Sequence, residues 1–98
     1  MAYGLILAFP AGVGEAEYNA VNANLPFDVK AGVDLPDGLI SHAAGMSDDG
    51  WVVSEVWETK EHQHAFMEGD LGKAFGIVQL PPPNRTYWYE LVTNVHVH

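Results

Sequence analysis

His42 and Glu55 are the residues whose types and spacing first suggest chemistry. They flank Ser47-Asp-Asp-Gly50, in two short runs (39–46 and 51–58) with the character of strands. Asp and Gly between such runs mark a hairpin turn. A turn of two or four residues centred on Asp48-Asp49 sets Met46 opposite Trp51, Ala44 opposite Val53, His42 opposite Glu55 and Ile40 opposite Trp57. Alternation puts all eight on one face, whereas an odd-length turn would slip the register and separate His42 from Glu55. Glu55 sits in Val-Val-Ser-Glu-Val-Trp, where the pattern predicts burial. An isolated buried carboxylate costs several kcal/mol, so it needs a partner, and His42 is the nearest. A neighbouring carboxylate stabilises imidazolium, which makes His42 a candidate general base near neutral pH. The same pair also reads as a structural cross-strand hydrogen bond, or as a Glu reaching solvent at a cleft mouth.

Aromatic residues accompany the pair. Trp51, Trp57 and Phe66 could hold a planar ligand, and Tyr18 could reach in from a helix above. The same residues also read as ordinary core. Tyr87 and Tyr89 share a strand face, from which a hydroxyl could line the cleft. Five histidines raise the question of a metal. His96 and His98 share a strand face, but His98 is the last residue; His62 and His64, on a helix, point about 200° apart. Neither pair has a third ligand at fixed spacing, so no metal site is expected. No glycine-rich phosphate loop and no G-x-S-x-G motif is present.

The elements that must position these residues follow from punctuation and periodicity. Residues 3–9 are apolar and end at Pro10, which predicts a buried strand with large residues at odd positions. Residues 15–24 predict a helix, with Glu15 and Glu17 favouring its positive end. Residues 25–38 hold Pro26, Gly32, Pro36 and Gly38 and predict a long loop of the kind that borders sites. Thr59 is a natural N-cap for a helix over 60–68. Gly69-Asp70 interrupts it, and Asp70 is placed to cap a second piece over 71–78. Pro81-Pro-Pro83 is a stiff connector before a last strand over 86–97. The order β-α-β-β-α-β predicts an α+β, ferredoxin-like fold: a four-stranded antiparallel sheet with both helices on one face. The bare face of the hairpin carries Gly45, Val52, Ala43, Ser54, Ser41, Val56, Leu39 and Glu58. Mostly small residues there suit a second sheet about 10 Å away, so a homodimer is expected.

Composition bounds the rest. Ninety-eight residues make one domain, residues 1–98, and 48% hydrophobic content is enough for a packed core. Four Lys and Arg against 13 Asp and Glu leave −9, which argues against nucleic-acid and membrane-surface partners. The absence of cysteine removes disulfides and thiol nucleophiles. No apolar run reaches membrane-spanning length, and no cationic stretch precedes the N-terminal apolar run, so a cytoplasmic protein is expected.

Pro36-Asp-Gly-Leu-Ile-Ser-His-Ala-Ala-Gly45, then Asp49-Gly-Trp-Val-Val-Ser-Glu-Val-Trp-Glu-Thr59 and a Phe-containing helix, resemble the dimeric α+β-barrel superfamily. Within it the sequence is most similar to the small antibiotic-biosynthesis-monooxygenase-like proteins. The resemblance covers roughly residues 36–80, with the ends matching by pattern. It implies two ferredoxin-like subunits packed sheet on sheet, each with a cleft between sheet and helices. It also implies cofactor-independent chemistry on a phenolic, quinol or polyketide-like small molecule. The haem-degrading branch of the superfamily uses an Asn on its first strand, a Trp ending its third and a His on its last helix. Trp57 matches the Trp, but the first strand here has no Asn and Gly76 stands at the His position. Haem is therefore not expected, and few cations are available to hold its propionates.

The resulting expectation is an oxygenase without a cofactor, acting on an aromatic ligand. His42 and Glu55 would be catalytic, with Trp51, Trp57, Phe66 and Tyr18 binding the substrate. An isomerase or cyclase using the same base, and a dimer that only binds a small ligand, are the alternatives.

Overall fold

The structure is a computed structural model describing residues 2–29, 31–32 and 34–95. The expected order holds: β1 (Tyr3–Ala8), α1 (Glu15–Ala23), β2 (Leu39–Ser47), β3 (Gly50–Trp57), α2 (Lys60–Phe66), α3 (Gly72–Val78) and β4 (Arg85–Glu90). The strands form one antiparallel sheet in the order β2-β3-β1-β4, with the helices on one side. None of the helices among the described residues is long and apolar enough to cross a membrane.

Alternation decides which side chains meet the helices. β3 buries every second residue, Trp51, Val53, Glu55 and Trp57. In β1 the odd positions lie beside them: Tyr3 pairs with Trp57, Leu5 with Glu55 and Leu7 with Val53. Leu5, Leu7, Phe9, Val13, Trp51, Val53 and Trp57 form the core between sheet and helices. Each such side chain taken from water contributes about 1.5–3 kcal/mol. Local sequence starts the helices as expected. The Glu17 carboxylate accepts the Gly14 N–H at 2.8 Å, and Thr59 Oγ1 accepts the His62 N–H at 3.2 Å.

The β2–β3 hairpin has a two-residue turn, the shorter of the two expected lengths, with Ser47 opposite Gly50. Ser47 Oγ accepts the Asp49 N–H and donates to the Gly50 carbonyl, closing it. His42 pairs with Glu55, Ala44 with Val53 and Met46 with Trp51, as the register required. The far end departs from expectation. A bulge between Leu39 and Ser41 puts Leu39, not Ile40, opposite Trp57. Ile40 is left 42% exposed, while Leu39 packs on the core. The strand enters from Gly38, whose φ of +84° suits glycine and whose missing side chain makes room for the His62 ring. This tight entry brings Leu39 inward one residue early, and the bulge absorbs the extra residue.

Three other expectations are corrected. The helical stretch after Phe66 is interrupted at Gly69, as expected, but Asp70 does not cap the second piece. The chain passes through a wide turn, Met67–Leu71, kinked at Gly69 (φ −101°, ψ −113°). Glycine tolerates that backbone, so neighbouring helical turns survive on both sides. The last strand stops at Glu90 rather than running on towards residue 97, because β1 starts at Tyr3 and Leu91 N–H bonds the carbonyl of Ala2. A strand without a partner has nowhere to send its backbone hydrogen bonds. Tyr87 and Tyr89 do not face the cleft. Trp88 is the β4 residue opposite Leu5, which turns both tyrosines to the other side of the sheet, and the Tyr89 ring occupies the space over Gly4.

Candidate active site

Three elements bring four polar side chains into one line. α1 supplies Tyr18, β2 supplies His42, and β3 supplies Glu55 and Trp57. Tyr18 Oη lies 2.5 Å from His42 Nε2, and His42 Nδ1 lies 2.8 Å from Glu55 Oε2. Trp57 Nε1–H donates to the other carboxylate oxygen, Glu55 Oε1, at 3.0 Å. A carboxylate can only accept, so Nδ1 carries the proton towards Glu55. In neutral His42, Nε2 is then the acceptor of the Tyr18 O–H. Glu55 is 6% exposed, and its two donors answer the desolvation that its position predicts.

The line ends at a cavity. The space between sheet and helices, its mouth included, is ≈ 600 Å³. Tyr18, His42 and Glu55 are on its wall, with apolar side chains such as Leu7, Val53, Phe66 and Phe75 making up most of the rest. The 25–38 loop borders it as expected, contributing Leu25, Phe27, Val29 and Pro36. Trp51 and Phe66 line the cavity, as anticipated for ring-holding residues. Trp57 does not. It is fully buried beneath Phe66, with ring centres 5.9 Å apart, and its indole holds Glu55. The reason is geometric: residues 55 and 57 share a face, so an indole at 57 can fold back on the carboxylate two residues before it.

Sequence reasoning placed Tyr18 above the cleft without linking it to His42. The link depends on the height and tilt of α1 over the sheet, which strand register does not contain. The cavity-lining Asn22 was missed, although it lies four residues after Tyr18 and therefore on the same helix face. The histidine pairs add nothing to the site. His62 is hydrogen-bonded to Thr59 and His64 packs edge-on to Trp88. His96 and His98 lie outside the described residues. Among the described residues, no group of three His, Asp or Glu side chains could hold a metal ion.

Burial pushes the Tyr18 phenol above its ordinary pKa; the Asn22 side chain beside it opposes the shift, and the negative charge of Glu55 adds to it. At neutral pH Tyr18 is therefore a proton donor to His42 and not a phenolate. The sign of the linkage follows. A phenol pKa raised by folding stabilises the native state fully below the unfolded value of about 10, and this is lost as pH rises through the folded value. Urea midpoints of the chain should fall between pH 10 and 11.5 by more than those of Tyr18→Phe. Parallel curves would show that Tyr18 titrates alike folded and unfolded.

No family model matches the sequence, and the comparison with curated proteins finds no match. Solved structures do match. An antibiotic biosynthesis monooxygenase candidate from Chloroflexus aurantiacus superposes over 100% of both chains with a TM-score of 0.68 and 17% identity. Rv0793 from Mycobacterium tuberculosis covers 97% of this chain and 98% of its own, with a TM-score of 0.63 and 13% identity. This chain has the fold of the antibiotic-biosynthesis-monooxygenase-like proteins. The ActVA-Orf6 monooxygenase of Streptomyces coelicolor, solved with the ligand nanaomycin D, also matches. Its TM-score is 0.52 at 14% identity, over 99% of this chain and 91% of its own. At these identities the likeness is one of fold, and the ferredoxin-like α+β expectation stands on it together with the sheet order.

Proposed function

We propose that this protein is an enzyme that removes a proton from a small aromatic molecule, and that the deprotonated ring then reacts with O2. The observation that carries the reading is the hydrogen-bonded line Tyr18–His42–Glu55, which meets an apolar cavity at its Tyr18 and His42 end. A phenol or activated C–H gives its proton to Tyr18 Oη as Tyr18 passes its own to His42 Nε2, or gives it to Nε2 directly. The imidazolium formed is held beside the Glu55 carboxylate. Trp57 keeps that carboxylate oriented without touching the ligand. The electron-rich anion supplies the electrons: its carbon, which still bears one hydrogen, adds O2, the peroxide takes back the proton held on His42, and the hydroperoxide loses water, breaking its C–H and O–O bonds, to leave a carbonyl. No resident cofactor is needed for that sequence. The monooxygenase with nanaomycin D bound shows a small-molecule ligand on this fold, which supports the class of reaction.

Two copies of the chain are part of the proposal. The sheet face away from the helices carries Gly4, Ile6, Ala8, Val52, Ser54 and Val56 along its two central strands, with the Tyr89 ring over Gly4. Packing two such faces together makes a barrel and leaves one cavity per chain on the outside of each sheet.

The test is deuterium uptake at C1 of 2-tetralone in D2O, an aryl-flanked ketone with an acidic C–H. Wild type should accelerate it, and His42→Ala should lower the acceleration roughly 100- to 10,000-fold, the usual contribution of a general base. Equal acceleration by both proteins sinks the proposal. An oxygen electrode with 1-naphthol and dihydroxynaphthalenes then decides the second step. Turnover that continues without O2 makes the enzyme an isomerase or cyclase using the same base. Retained ligand affinity with no His42-dependent activity makes the protein a binder.

A further inference from the structure

Among the described residues, two buried donors, Asn22 Nδ2 and Trp51 Nε1, have no hydrogen-bond partner of good geometry, although the Asn22 side chain reaches towards the Tyr18 phenol oxygen. Both residues line the cavity, which is otherwise almost wholly apolar away from the proton line. Both lie next to Tyr18. Asn22 follows it by one turn of α1, and the Trp51 ring centre lies 5.3 Å from that of Tyr18. Trp51 is 7% exposed, so bulk solvent does not serve its indole. Native proteins pair nearly all such groups, and a buried N–H left alone opposes folding. An amide can turn either end to a ligand, but an indole N–H can only donate, so the pair selects for an acceptor.

We infer that Asn22 and Trp51 hold an acceptor oxygen of the ligand, and that the ligand is an aromatic ketone or quinone-like compound whose carbonyl lies beside its acidic proton. The inference rests on the proposed proton removal for the role of the carbonyl, though not for its binding. When a C–H or O–H conjugated with a carbonyl loses its proton to the Tyr18–His42 line, negative charge moves onto the carbonyl oxygen. Donors already aimed there strengthen as the charge develops and need no rearrangement. A ligand of the same shape without the oxygen would leave both N–H groups unanswered. The cavity would therefore discriminate by polarity within an apolar envelope, which is stronger than discrimination by size.

The experiment uses the full chain with 2-tetralone and with tetralin, the same skeleton without the carbonyl. In 15N-labelled protein, the Trp51 indole resonance, identified by its loss in Trp51→Phe, should move downfield with 2-tetralone and not with tetralin. Asn22→Leu should weaken 2-tetralone about three- to tenfold, the worth of one neutral hydrogen bond, while tetralin binds as well or better. A Trp51 resonance that ignores 2-tetralone while that ligand binds, or an Asn22→Leu change equal for both ligands, overturns the assignment. Neither result touches the proton line, which stands or falls on His42-dependent exchange. Conversely, a downfield shift with exchange that ignores His42 removes the proton line and keeps the carbonyl site.

Discussion

Glu55→Gln is expected to slow His42-dependent proton exchange at least 100-fold and to lower the melting temperature by roughly 4–24 °C, with the fold unchanged. Glutamine keeps the shape but has one acceptor oxygen and one amide NH2, whereas the site presents two donors, His42 Nδ1–H and Trp57 Nε1–H. If the amide oxygen serves Trp57, its NH2 meets His42, whose Nδ1 must give up its proton to accept. Nε2 then carries the proton, and its link to Tyr18 runs backwards. If the amide is turned the other way, the Trp57 indole faces a donor in the fully buried core. Either arrangement leaves a conflict costing about 1–3 kcal/mol, and in a domain of this size each kcal/mol is worth about 4–8 °C. Exchange kinetics on 2-tetralone read the tautomer, and calorimetry reads the conflict. Trp57→Phe separates them, since it removes one donor and leaves the His42–Glu55 bond in place. Because Trp57→Phe itself leaves a cavity in the core, the comparison is with that single variant: adding Glu55→Gln to it should cost much less melting temperature than Glu55→Gln costs wild type, since the amide oxygen is then free for His42. A Glu55→Gln protein with unchanged exchange would mean that the carboxylate does not set the tautomer.

The hairpin was the legible part of this chain, and the reason is local. A two-residue turn and strict alternation fix which residues face one another, so the His42–Glu55 contact follows from spacing alone. The limits of that reasoning show at Ile40 and Leu39. Alternation extended to the strand's start predicts the wrong residue opposite Trp57, because entry from Gly38 against the His62 ring is a tertiary constraint. Trp57 illustrates a different limit. Its face was right and its role was not, since a side chain's direction within a face depends on what it can bond. Tyr18 and Asn22 share a helix face that sequence spacing defines, but the distance from that face to His42 is set by packing across the core. Helix α1 has only modest amphipathic contrast, with Val21 its one buried residue, so nothing in its sequence announces a polar line beneath it. The proton line is therefore half local and half tertiary, and only the local half could be read.

Wild-type chain should sediment at micromolar concentration as twice 10.7 kDa, and Val56→Asp should sediment as a single 10.7 kDa chain. The chain carries −9, yet neither acidic residue within the strands, Glu55 or Glu90, lies on the side away from the helices, and Glu58, expected there, falls just beyond the end of β3. A face meant for water in so acidic a protein would carry its share. This one instead presents Ile6, Val52 and Val56 at its centre, small residues on β2, and Tyr87 and Tyr89, each 44% exposed, along β4. Those tyrosines are amphipathic anchors of the kind that favour interfaces. Symmetry doubles the effect of a substitution there, because a two-fold contact meets the same residue in both copies. Two unpaired carboxylates brought to the centre of a sheet-on-sheet contact cost several kcal/mol, a loosening of at least about a thousandfold in Kd. Ala43→Asp tests the same face from an exposed edge-strand position, where the lone chain tolerates charge, so monomer formation there would not be confused with unfolding. The net charge makes a further distinction. Copies repelling one another at −9 each should associate more tightly as salt rises, whereas an interface built on ion pairs would weaken. Wild type found as a monomer at tens of micromolar, at both low and high salt, would leave the apolar face unexplained and remove the barrel from the proposal.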